Sequence, residues 1–367
     1  MDCLLMRWKR LLVIYLIELR GVRVAKILMV DDGISFDGNS LEQGPLGGAE
    51  TAFISLANSF SERGHEVLIR NNCSGTMKKN NIDWAPLENG VPDHCDLYIA
   101  NRSDKLLTLS CDSRAAVFWI HNPAQYLLKF RYLTKIWSRK PVIVFSGNFH
   151  ANSYPKWAPD GGRKIVPYGI SDEFVKVEPT GTIPEPRAIF TSNPLRSLSW
   201  LLGIWKDHIN PQMPNAELHI YSGAATYGEL GSSQKGQMQL ILDKANAMSN
   251  QNVCLHDPIP KKRLADVLSR SRVLPYRGDP GETFCLAVGE AQAAGLPAVV
   301  QDIGCVAERV VNGKTGFVTG NDEEFANATL KLLRDDNLWS RNHEMSLKLQ
   351  RNWGWNDAAA EFEGLIS

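Results

Sequence analysis

The sequence predicts an α/β protein made of two doubly wound parallel sheets. Three observations carry that expectation. Short apolar runs bounded by turn residues alternate with longer segments of helical spacing. The alternation stops once, in VEPTGTIPEPR, which has three prolines and no helical period, and then restarts. The chain also has 367 residues, more than one hydrophobic core usually organises.

KILMV (Lys26–Val30) is a continuous apolar run, as a strand buried on both faces should be. After a Gly-rich loop comes AETAFISLANSFSERG (Ala49–Gly64). Here Ala52, Phe53, Leu56, Ala57 and Phe60 recur at helical spacing and Gly64 supplies the stop. HEVLI (His65–Ile69), DLYIA (Asp96–Ala100), AAVFWI (Ala115–Ile120) and PVIVFS (Pro141–Ser146) read as further strands. Past the Pro-rich stretch, RAIFTS (Arg187–Ser192), AELHIYS (Ala216–Ser222), NVCLH (Asn252–His256) and RVLPY (Arg272–Tyr276) are strands. They are separated by helices from about Leu195, near Gln234–Ala247 and at Lys261–Arg270. This gives two Rossmann-like domains, residues 25–176 and 187–355, joined by a linker at 177–186. A last helix begins near Asn356.

Composition narrows the function classes. Lys plus Arg equals Asp plus Glu at 40 each, which argues against a general nucleic-acid binder. Seven scattered cysteines without a Cys-x-x-Cys pair read as reduced thiols and not as a zinc site. No Asp-x-Asp flanked by apolar residues, Gly-x-Ser-x-Gly or Walker loop is present. In residues 1–24, LLVIYLIEL comes after RWKR. It is too short to span a bilayer, Glu18 interrupts it, and no good cleavage site succeeds it. It is expected to be a dispensable extension, with a membrane-surface segment as the alternative.

The most informative stretch is GDPGETFCLAVGEAQAAGLPAVV (Gly278–Val300), directly after RVLPY. Ligands of open α/β sheets bind beyond the carboxyl ends of the strands, so a helix starting after Glu282 starts at a crevice. Its first amides, near Phe284, Cys285 and Leu286, lack helical partners and carry the positive end of the dipole, a setting for a diphosphate. Glu282 and Glu290 would repel phosphate but suit hydroxyls on either side of it. The step between them spans about 12 Å if wholly helical. Spacing alone leaves a pair of solvated glutamates equally open.

The residues from Glu290 onward extend the pattern: EAQAAGLP, a strand, a Gly-x-x-x-Glu ending at Glu308, and NGKTG, read as a hairpin turn. The whole segment resembles the C-terminal signature of retaining family 4 glycosyltransferases of the GT-B fold. GPLGGAE (Gly44–Glu50) resembles that family's donor-contacting loop. WIHNP (Trp119–Pro123) resembles the position where a His lies by the sugar, VPYGISDEF (Val166–Phe174) the motif closing the first domain, and WGW the lead into a terminal helix that crosses back onto it.

The resemblance implies two domains facing a cleft, the first on the acceptor side. It implies glycosyl transfer from a nucleotide-diphosphate sugar to an unidentified hydroxyl on a sugar, lipid-linked or small-molecule acceptor. Configuration would be retained, with no metal and no cofactor. Arg196 and the amides at Phe284–Leu286 would hold the leaving diphosphate, with Asn193 beside them. Glu290 would accept from ribose and Glu282 from the donor sugar, Gly47 and Gly48 would close over the phosphates, and His121 would line the reacting face. One departure stands out. In FTSNPLRSLSWLL (Phe190–Leu202), Arg196 falls where the family has Lys, and Ser192 or Asn193 near its Arg, leaving one cation in place of two. Arg277 or Arg309 could supply the second, or none does. The alternatives are a GT-B protein that binds carbohydrate or nucleotide without turnover, and a nucleotide-sugar epimerase. KFRYLTKIWSRK (Lys129–Lys140) is a basic helix, either a solvated face or a contact with anionic lipid. The expected location is cytoplasmic, with association at the inner membrane face left open.

Overall fold

A computed structural model describes residues 24–44, 46–179, 181–223 and 234–366. Apart from Val24, the N-terminal extension lies outside them.

The first half is one eight-stranded sheet in the order β3-β4-β2-β1-β5-β6-β7-β8. Its strands are β1 (Lys26–Val30), β2 (Glu66–Asn71), β3 (Met77–Lys79), β4 (Ile82–Pro86), β5 (His94–Asn101), β6 (Asp112–Trp119), β7 (Val142–Phe145) and β8 (Arg163–Ile165). All neighbours are parallel except β3 and β4. β1 shows why its sequence is apolar throughout. Ile27 and Met29 enter one core with helix α1 (Gly48–Glu62), while Leu28 and Val30 enter another on the opposite face. That second face carries helices α2 (Phe130–Arg139) and α3 (Asn148–Asn152). The β3–β4 hairpin is not expected from the sequence. Its two turn residues, Asn80 and Asn81, have φ of 52° and 60°, the left-handed pair that a two-residue hairpin turn requires.

The second half contains two three-stranded parallel ribbons, β11-β10-β9 and β12-β13-β14. These are β9 (Arg187–Phe190), β10 (Glu217–Tyr221), β11 (Val253–His256), β12 (Leu274–Tyr276), β13 (Ala298–Gln301) and β14 (Gly316–Thr319). The Ala188–Val273 bridge stitches β9 to β12, with the Ile189 amide donating to the Val273 carbonyl at 3.0 Å. Helices α4 (Leu198–Ile204), α5 (Lys235–Asn246), α6 (Lys261–Ser269), α7 (Leu286–Ala293), α8 (Asp322–Arg334) and α9 (Asp336–Gln350) surround them. The last helix, α10 (Trp355–Glu363), packs on α1 of the first half. Phe60 and Phe362 meet edge to face, and the Glu363 carboxylate takes hydrogen bonds from Arg63 and His65.

Three local expectations are corrected. NGKTG is a turn leading into β14 and not a hairpin, because β13 and β14 are parallel. The helix expected from about Leu195 begins at Leu198. Before it, the Asn193 side chain accepts from the Leu195 amide at 2.9 Å and Ser197 takes φ 63°, so Arg196 sits in a turn. The step from Glu282 to Glu290 is also not wholly helical, since α7 starts only at Leu286.

Candidate functional site

The carboxyl ends of the strands in both halves face one cavity of about 1200 Å³. Ten of the residues singled out in the sequence line it: Gly47, Gly48, His121, Asn193, Arg196, Glu282, Phe284, Cys285, Leu286 and Glu290.

The wall from the second half is built by the β12–α7 turn. Glu282 is buried, accepts from the Tyr276 hydroxyl at 2.8 Å and pairs with the Arg196 guanidinium. Burial pushes its carboxyl above the ordinary value, with the Arg196 charge and the Tyr276 hydrogen bond opposing. The two residues expected to act on separate parts of a ligand therefore hold each other. Glu290, one turn into α7, takes a hydrogen bond from Lys261 Nζ at 2.5 Å. Between the two carboxylates the chain turns at Cys285, whose φ of 50° is a left-handed value unusual for a side chain with a Cβ. Burial, and then the Glu282 charge, push the Cys285 thiol well up, so it stays protonated.

The two arginines offered as a second cation lie away from the cavity. Neither Arg277 nor Arg309 lines the cavity. Arg277 lies over the Trp200 ring and donates to Gln301 at 3.0 Å, while Arg309 is stacked on Phe284 at 4.2 Å. Lys261, at the start of α6, does line it. Asn193 is present at the wall, but its side-chain oxygen builds the turn that carries Arg196.

The wall from the first half is backed by a hydrogen-bonded network. Asp31, at the end of β1, is fully buried and accepts from Arg102 Nη2 at 2.9 Å and from Asn101 Nδ2 at 2.5 Å. Arg102 also donates to Glu50 at 2.9 Å, which ties down the first turn of α1, with Gly47 just before it. A Cβ at Gly47 would overlap the Glu50 carboxylate, and one at Gly48 would touch Leu286 of the opposite wall at 3.5 Å. His121 Nε2 meets Asn101 Oδ1 at 2.6 Å and its Nδ1 meets the Tyr168 hydroxyl. With Asn101 Nδ2 already donating to Asp31, Asn101 Oδ1 accepts from His121, and Tyr168 donates to the other ring nitrogen. Burial, then the Arg102 charge, then His150 hold the imidazole well below its ordinary pKa, so it is neutral. His121 thus faces the cavity with both nitrogens engaged by protein.

Asp31, Asn101, Arg102, Tyr168 and Lys261 are not singled out in the sequence. Asp31, Asn101 and Arg102 lie at strand carboxyl ends, the positional signal that would have found them. Thr283, beside Glu282, joins the walls: its hydroxyl donates to the His121 carbonyl at 2.7 Å, and its carbonyl accepts from Ser146 at 2.9 Å.

Residues 186–335, which include most of the second wall, match the family model described as Glycosyl transferases group 1. A stretch of 110 residues is 33% identical to a D-inositol 3-phosphate glycosyltransferase of Xylanimonas cellulosilytica; it spans 29% of this chain and 26% of that protein. The matched part is thus about a quarter of the curated relative. Among solved structures, sucrose-phosphate synthase of Thermosynechococcus elongatus superposes with a TM-score of 0.68 at 14% identity, over 92% of this chain and 97% of the other. Anabaena HepE in complex with UDP and glucose does so with a TM-score of 0.67 at 14% identity, over 93% and 98%. At such identity the likeness is one of fold: two Rossmann-like domains of the GT-B type.

Proposed function

We propose that the protein is a glycosyltransferase of the retaining family 4 type, moving a sugar from a nucleotide-diphosphate sugar to a hydroxyl acceptor. The observation that carries this reading is the β12–α7 turn. Two buried carboxylates, each matched by a cation, flank the start of a helix at the mouth of a cavity between the halves.

The diphosphate sits at the first turn of α7, where backbone amides and the helix dipole favour anions. Arg196 and Lys261 turn from their carboxylates to the phosphates as the donor enters. Glu290 is then freed to accept from ribose hydroxyls and Glu282 from hydroxyls of the donor sugar. The bond from the anomeric carbon to the diphosphate breaks, charge builds on the leaving phosphate, and Arg196 stabilises it. The acceptor oxygen bonds to the anomeric carbon and its proton leaves with the diphosphate. Neutral His121 lines the sugar's face without exchanging a proton. No metal is assigned a part. The acceptor, a sugar, lipid-linked or small molecule, approaches from the wall of the first half.

The test is release of nucleoside diphosphate from a panel of nucleotide sugars, with the uridine donors first. Arg196→Ala should lower release about 10²- to 10³-fold. Binding without release would make this a non-catalytic carbohydrate or nucleotide binder, and a converted sugar still carrying its nucleotide would make it an epimerase.

A further inference from the structure

Although the chain as a whole has no formal net charge, the stretch from Ser113 to Pro159 contains no Asp or Glu. It does contain Arg114, Lys129, Arg131, Lys135, Arg139, Lys140 and Lys156. Part of this charge is used internally. Lys135 pairs with Asp104 at 2.6 Å, and Arg139 donates to the carbonyls of Leu109 and Cys111. Lys129, Lys140 and Lys156 remain exposed, and the Arg131 side chain is 64% exposed beside Asp104.

The same surface carries an apolar feature. Phe130, Trp137 and Trp157 are 81%, 70% and 73% exposed, the only exposed Phe or Trp side chains among the described residues. Phe130 and Trp137 stand seven residues apart on α2, two turns along one face. Tyr132 and Ile136 of α2 enter the core that Tyr154 and Ala158 also join, so α2 and the loop bearing Trp157 cover the same face of the sheet. The Gly161 amide, donating to Pro141 at 2.9 Å, holds that loop to the end of α2. Folding leaves three large rings exposed over this face of the sheet, each with an exposed lysine within three residues along the chain.

We propose that this face docks on the surface of an anionic lipid bilayer. Trp137, Trp157 and Phe130 enter the headgroup layer and the four exposed cations meet lipid phosphates. Aromatic rings backed by Lys and Arg are the composition that partitions to that depth. The charge selects an anionic partner. Rings on the outer side of a helix and a loop favour a bilayer over a nucleic acid. No helix among the described residues is long and apolar enough to cross a membrane, so the attachment is peripheral. α2 begins past the carboxyl end of β6 and His121 and returns to the start of β7.

The test is co-sedimentation of the full chain with vesicles of phosphatidylcholine alone and of phosphatidylcholine with phosphatidylglycerol. Binding is expected only to the anionic vesicles, with reversal by high salt and a blue shift of tryptophan emission. Trp137→Ser with Trp157→Ser, and separately Lys129→Glu with Lys140→Glu, should each weaken it about tenfold or more. Nucleoside diphosphate release in solution should stay unchanged in both variants, because none of these residues lines the cavity. The proposal does not depend on the donor reading, and either can fail alone. No binding to anionic vesicles, equal binding by the variants, tighter retention on single-stranded nucleic acid, or a dimer that the substitutions dissolve would each overturn it.

Discussion

Glu282 sits in a cavity wall with its carboxylate shared between Tyr276 and Arg196, and burial raises its pKa above the ordinary 4.5. A carboxyl raised in this way contributes full stability below its unfolded value and loses it as pH rises through the folded one. Tyr276→Phe removes a hydrogen bond to the charged form. The stability gap between variant and wild type should therefore widen from acidic to neutral pH, reaching about 1–3 kcal/mol. Denaturant titrations across that range measure it, and a gap independent of pH would contradict the pairing. His121 behaves in the opposite sense. Its pKa is lowered in the fold, so its contribution is present above the ordinary imidazole value of 6.5 and is lost as pH falls. At this scale the sequence reveals positions better than partners. Glu282 and Glu290 are legible from their place after a strand, and Asn101 and Tyr276 end strands as well, but the pairing of Tyr276 with Glu282 and of Lys261 with Glu290 depends on how separate elements pack, which no local pattern encodes.

α1 and α10 come from opposite ends of the chain and are held by Phe60 against Phe362 and by Glu363 with Arg63 and His65. Burial alone would raise the Glu363 carboxyl, but hydrogen bonds from Arg63 and His65 outweigh it and hold it below 4.5. Its stabilisation is therefore present above 4.5 and lost as pH falls through the lowered value. Glu363→Gln should cost about 1–2 kcal/mol at pH 7 and progressively less in acid, read from thermal melts. The loop before α1 offers a second test. Gly47→Ala would drive its Cβ into the Glu50 carboxylate that Arg102 holds, so it should disorder the loop and weaken donor affinity while leaving the melting temperature within a few degrees. α1 and β1 are legible from the spacing of their apolar residues, and α7 from its Ala-rich run after a strand. The β3–β4 hairpin is not, since MKKNNID carries its information in two asparagine φ angles and hardly in hydrophobicity.

The halves meet through polar contacts that no element makes alone. Thr283 donates to His121 and accepts from Ser146. Glu308 of the second half accepts the Asn148 amide at 3.0 Å and the Phe149 amide at 2.5 Å, capping the start of α3 in the first half. Trp353 donates to Pro167 at 3.0 Å, and Trp355 stacks near Tyr168. Thr283→Val with Glu308→Ala should loosen this closure and raise the radius of gyration in small-angle scattering. An unchanged radius would assign the closure to the two tryptophans instead. Two α/β halves are legible in the alternation of strands and helices and in its single Pro-rich break, whereas their mutual contacts depend on long-range geometry. The site as a whole is most directly tested by isothermal titration with UDP, GDP and ADP. One of them should bind at a single site, with affinity falling at least about tenfold in Arg196→Ala and in Glu290→Ala. Binding of none of the three, or equal binding by both variants, would contradict a diphosphate at the mouth of α7.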